Sequence, residues 1–136
     1  MNEAQGTPSN WILGVLGTLG MANGFWALFA ANHWFTRIAA DTGPLNVHFV
    51  RDVGAAYVTA GACLVFAALR PAWRAPLTAS AACFLTLHAL GHVFETATGQ
   101  LGSHHWLEDS PGVFLPAILV SALAYRFIRS PASQSA

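Results

Sequence analysis

Residues 47–69 read VHFVRDVGAAYVTAGACLVFAAL. The charges in this stretch, Arg51 and Asp52, stand near its start, and from Val53 to Leu69 no charged residue follows. A helix needs about 20 mostly apolar residues to cross a bilayer, and this run supplies them. Three more such runs lie around it, from Trp11 to Phe35, from about 76 to 98, and from 111 to about 128. The last is the shortest and should be the least tilted. The expected fold class is all-α: an integral membrane four-helix bundle forming a single domain over residues 1–136.

Composition agrees. The 136 residues are 54 % hydrophobic and only 9 % charged, whereas soluble domains carry about 25 % charged residues. Lysine is absent, and six arginines balance six acids for a formal charge of zero, which argues against a nucleic-acid partner. There is no internal repeat. The tails, around Met1 to Ser9 and Ser130 to Ala136, have the small polar composition of disordered ends. Cys63 and Cys83 lie inside apolar runs without Cys-x-x-Cys spacing and read as free, buried thiols.

The breaks between spans carry turn residues: Asp41-Thr-Gly-Pro44, Arg70-Pro-Ala-Trp-Arg-Ala-Pro76, and a long connection from Gly99 to Ser110. Pro76 and Pro111 suit the first turn of a helix, where no backbone donor is lost. Ser110 suits an N-cap, and Pro116 lies deep enough to kink the last helix. The first run is too long for a signal peptide, and its leader holds Glu3 with no positive charge, so it reads as a retained helix. Arg70, Arg74, Arg126 and Arg129 fall at the end that holds the termini, against Arg37 and Arg51 at the other. The positive-inside rule places the termini in the cytoplasm. Trp11 and Trp73 mark one interface, Trp34 and Trp106 the other. In a bacterial inner membrane the second end faces the periplasm. Gly14, Gly17, Gly20 and Gly24 allow a close helix approach, either inside the bundle or at a homo-oligomer face. Asn23, near mid-membrane, reads as interhelical glue.

This topology gathers all six histidines, His33, His48, His88, His92, His104 and His105, at the periplasmic end, together with Asp41, Asp52, Glu95, Glu108 and Asp109. Such groups are costly within a membrane and mark functional sites. His88, His92 and Glu95 form an H-x-x-x-H-x-x-E pattern on one helical face. His48 and Asp52 share a face at matching depth on the preceding helix, so the two clusters are expected to form one metal site, with His33, His104 and His105 as further candidate ligands. Imidazole with carboxylate suits iron, zinc, copper or manganese, and the absence of thiolate argues against iron–sulfur clusters and soft copper(I) sites. Di-iron proteins build comparable dinuclear sites between bundle helices. Arg51 is expected to pair with Glu95, Asp52 or Asp41, or to bind an anionic group of a cofactor or substrate. A buried proton-relay network is the main competing reading for His88 and His92.

Size, span count and small-residue helices resemble the small four-helix bacterial membrane proteins grouped as DoxX-like; the runs NVHFVRDVG (46–54) and HALGHVFE (88–95) look like family signatures but belong to no motif that carries the resemblance. The resemblance implies the four-span fold and carries no activity or ligand over. Three functions fit the residues: a metal-dependent enzyme, such as an oxidoreductase, acting on a small or lipophilic substrate; a metal-binding or transfer protein without catalysis; and a b-type haem protein, with His48 and His88 as an example of an axial pair. Bis-histidine haem would leave Asp52 and Glu95 unexplained.

Overall fold

The computed structural model describes residues 8–130; the two tails read as disordered lie almost wholly outside the described residues. Among these, the structure is helical: α1 (Pro8–Phe29), α2 (Ala31–Ile38), α3 (Val47–Leu69), a 3-10 turn (Pro71–Trp73), α4 (Arg74–Ala97), α5 (His105–Asp109), a π turn (Ser110–Phe114) and α6 (Leu115–Arg129). Four helices, 8–29, 47–69, 71–97 and 105–129, are long and apolar enough to cross a membrane. The bundle surface is apolar: Phe29 is 83 % exposed, and Leu87, Phe66 and Ile118 are also exposed. Apolar surface on this scale fits a molecule whose solvent is lipid.

Glycine decides the packing of α1 on α3. A Cβ placed on Gly17 would lie 2.7 Å from the carbonyl oxygen of Gly61, and one placed on Gly61 would lie 2.6 Å from that of Gly17. Gly24 and Gly54 repeat the relation two turns away, at 2.6 and 2.8 Å. The pairs 17/61 and 24/54 run in opposite directions along the chain, so the helices are antiparallel. Only residues without a side chain let the backbones meet this closely. The glycines of α1 that touch a neighbour therefore serve internal packing; Gly14 meets nothing.

The remaining core is made of small and medium side chains. Leu13, Leu64, Ala81, Leu85, Val120 and Ala124 belong to one buried cluster that joins the long helices. A hydrogen bond of 2.9 Å between Thr86 Oγ1 and Ser121 Oγ ties α4 to α6. Asn46 caps α3, its side chain accepting from the backbone N–H groups of His48 and Phe49, a device worth about 1 kcal/mol.

Three details depart from the sequence reading. The first span is not one helix to Phe35; it breaks at Ala30 (φ −133°, ψ 49°). Trp34 Nε1 donates to Asn23 Oδ1 at 2.8 Å. Residues eleven apart in a straight helix are separated by about 16 Å along the axis, so the bond requires α2 to turn back on α1. The third helix starts at Arg74, which places Pro76 third in its first turn, still without loss of a donor. The last span starts at His105, not Pro111, and its 25 residues exceed the 22 of the first. Ser110 is therefore helical (φ −55°, ψ −50°) rather than a cap. The wide turn 110–114 takes up Pro111, whose missing N–H an α-helix would register as a lost bond.

Gly61→Ala should force α1 and α3 apart and lower stability by about 1–3 kcal/mol, the range for overpacked cores. Gly14→Ala, in open space, should not. Thermal unfolding of both variants in detergent compares them directly.

Candidate metal centre

Three donors converge where α2 ends and α5 begins. Asp41 lies in the connection between α2 and α3, and His104 and His105 open the last helix. One ligand atom from each falls within 4.8 Å of the others. His105 Nε2 is 2.9 Å from Asp41 Oδ2, and His104 Nε2 is 3.4 Å from the same oxygen. The His105 side chain is only 5 % exposed, whereas those of His104 and Asp41 are more than half exposed. The site thus has one fixed donor at its floor and two at its rim. The hydrogen bond from His105 is the main cause that holds the Asp41 carboxyl below its ordinary pKa, outweighing the opposing effect of partial burial.

The floor is braced from behind. His105 Nδ1 lies 3.3 Å from Asp109 Oδ2, one helical turn on. The contact is electrostatic, since Nδ1 has no aligned hydrogen-bond partner. Asp109 is itself held by His92 of α4, whose Nδ1 is 2.7 Å from the same oxygen. A carboxylate behind a ligating imidazole is the usual way to fix the ring's orientation and raise its basicity. From His92 the chain of rings continues inward. His88 packs edge-on to it at 4.7 Å, stacks on Phe84 and meets the edge of Tyr57. A continuous line of polar side chains therefore runs from mid-bundle to the rim.

The histidines of α4 share a face, as their spacing predicts. The expected union of two clusters does not form. No hydrogen bond, ion pair or ring contact joins His48 or Asp52 to His88, His92 or Glu95 among the described residues. His48 and Asp52 pair with each other at 3.4 Å, both well exposed. Glu95 is half-buried and has no side-chain hydrogen bond or ion pair among the described residues. His33 packs on Trp26, and its Nδ1 accepts from the indole Nε1–H at 3.0 Å. Arg51 is exposed, and among the described residues it forms no ion pair with Glu95, Asp52 or Asp41; every carboxylate pair found there is made by a histidine.

Sequence reasoning gave Asp41 and Asp109 no ligand role. The signal for Asp109 is its spacing of four from His105, which becomes meaningful once the helix is known to start there. Asp41 carries no local signal, since its partners lie more than sixty residues away. Comparisons with protein-family models, with curated proteins and with solved structures find no match for this chain, so the chemistry of the centre rests on its own atoms.

Asp109→Ala should cost about 1–3 kcal/mol, because it removes the acceptor that faces both His92 and His105. Glu108→Ala, at an exposed side chain, should stay within about 0.5 kcal/mol of the parent. Thermal unfolding in metal-free detergent solution tests both.

Proposed function

We propose that this chain is a multi-pass protein of a bacterial inner membrane that binds a divalent transition metal at the periplasmic end of its bundle. The observation that carries this reading is the convergence of Asp41, His104 and His105 on a buried imidazole backed by Asp109. Donors on one ion at bonds of about 2.1 Å lie at most about 4 Å apart, and the Asp41 contacts to both rings already fall within that distance. Two histidines and one carboxylate are the donor set of open-sided iron(II) centres and also suit zinc and copper. Three protein donors leave coordination positions for water or substrate.

Such an ion polarises a bound oxygen or activates water. The chain's part is to position the imidazoles, the Asp109 carboxylate facing Nδ1 of His105 and leaving its Nε2 on the side of Asp41. On this reading the protein is a metal-dependent enzyme, an oxidoreductase if the metal is iron, acting on a small or lipophilic substrate. A metal-transfer protein is the second reading, favoured by the exposure of Asp41 and His104, since rim donors exchange an ion readily. Haem is supported least, because the converging histidines bring a carboxylate with them.

Equilibrium dialysis of the detergent-solubilised protein against zinc, cobalt and iron(II) tests the site. The parent should bind one equivalent, His105→Ala none. Asp109→Asn should bind 10–100-fold more weakly, the usual cost of losing a group behind a ligand. Full binding by a His104→Ala, His105→Ala double variant overturns the assignment. Acidification should release the metal, since imidazoles ligate only when neutral. Asp41, with its pKa lowered, stays ionised as the histidines protonate, so the loss belongs to the rings.

The membrane orientation has its own test. Reporter fusions after Arg129 and within the connection at Ser103 should read opposite sides, with the first cytoplasmic. Reporters on one side would end the topology.

A further inference from the structure

We infer that the groove between α3 and α4 is a binding site for one anionic phospholipid, held by its phosphate at Arg70. The inference rests on the membrane reading above and is independent of the metal centre. The groove is a cavity of about 660 Å³. Val58, Ala62 and Phe66 of α3 and Leu77 of α4 form its walls, and Arg70 and Trp73 close one end. Thr59 and Cys63 also border a neighbouring hollow of about 230 Å³ lined by Ala56 and Phe84. From Val58 to Arg70, which both line the groove, the rise of α3 is about 18 Å, more than the ~15 Å of one leaflet's hydrocarbon. A lipid chain entering at Arg70 can therefore lie along it.

Charge selects the headgroup. Arg70 stands just past the last turn of α3, at a helix end where a membrane surface would lie. It is exposed, and no carboxylate among the described residues pairs with it. The next cation, Arg74, is turned into the bundle and away from the surface: its Nε donates to the carbonyl of Ala67, its guanidinium lies over the Phe127 ring, and its Nη2 is buried. Trp73 is 62 % exposed beside Arg70, as an indole anchored among headgroups is. A basic group, an interfacial indole and an apolar groove in sequence match the three parts of an anionic lipid. A zwitterionic lipid would bring its own cation to Arg70.

Native mass spectrometry of the protein extracted from membranes, with added phosphatidylglycerol or phosphatidylcholine of equal chain length, tests this. One phosphatidylglycerol should be retained about fivefold more strongly, the preference a single arginine gives near an anionic surface. Arg70→Gln should abolish the preference while leaving some binding of both lipids. Ala62→Trp, which fills the groove, should abolish the retention of both. Arg129→Gln, outside the groove, should change nothing. Equal retention of the two lipids by the parent, or a preference that survives Arg70→Gln, overturns the inference. Displacement of the lipid by glycerol phosphate alone overturns it too, since it would make the site one for free phosphate. Recovery of the chain in the soluble fraction would instead end the membrane reading. Metal content measured on the same samples should be unaffected by Arg70→Gln and Ala62→Trp.

Discussion

The backbone contact between α1 and α3 is the constraint on which the other packing depends. Two glycines from each helix meet at intervals of two turns, carbonyl against α-carbon. Helices that cross a bilayer gain little by hiding side chains from a solvent as apolar as leucine, so their association rests on contact area and close approach. With the backbones this near, any rotation of either helix would drive a side chain into the opposing main chain. The glycines therefore set the rotation of α3 as well as its distance. That rotation turns Tyr57 toward α4, where it meets Phe84 and His88, and leaves His48 and Asp52 on the outside.

From this pair the construction proceeds outward. α4 packs on α3, and α6 packs on α4 through small residues and the Thr86–Ser121 bond. α2 is bent back by Trp34 and Asn23, which brings the connection carrying Asp41 over the end of the bundle. The candidate centre draws on three separate pieces of chain: the connection after α2, the start of the last helix, and the last turns of α4 through His92. Two of them, the end of α4 and the start of the last helix, follow one another in the chain, while Asp41 stands more than sixty residues before His104 and His105. Their meeting is a property of the fold, and the single buried imidazole among the donors is where that fold fixes the geometry.

The four spans were legible because hydropathy integrated over about twenty residues is a strong signal. The gathering of histidines and acids at one end followed from topology alone, and the shared face of His88 and His92 followed from helical periodicity. Less was legible where rotation or a non-local bond decides. The choice of partner for His48 and Asp52 depends on the rotation of α3, which a sequence does not display. The break at Ala30 has no glycine or proline to announce it; its cause is a side-chain bond eleven residues long. The start of the last helix was concealed by Pro111 and by the polar run His-His-Trp-Leu-Glu-Asp, which has the composition of a loop. That misplacement removed the one pattern, His105 with Asp109, that would have drawn attention to the centre.

The π turn at 110–114 has a consequence for how this chain can vary. The N–H of Leu115 bonds the carbonyl of Ser110, five residues back, so this turn holds one residue more than the α turn it replaces. One residue of α-helix corresponds to about 100° of rotation. Removing a residue here would leave a helix of almost unchanged apolarity, still able to cross a bilayer, but would swing His105 and Asp109 about a quarter-turn away from His92. The length of this segment is thus held by two unequal requirements: the span tolerates insertions and deletions, and the angular alignment of its polar end does not.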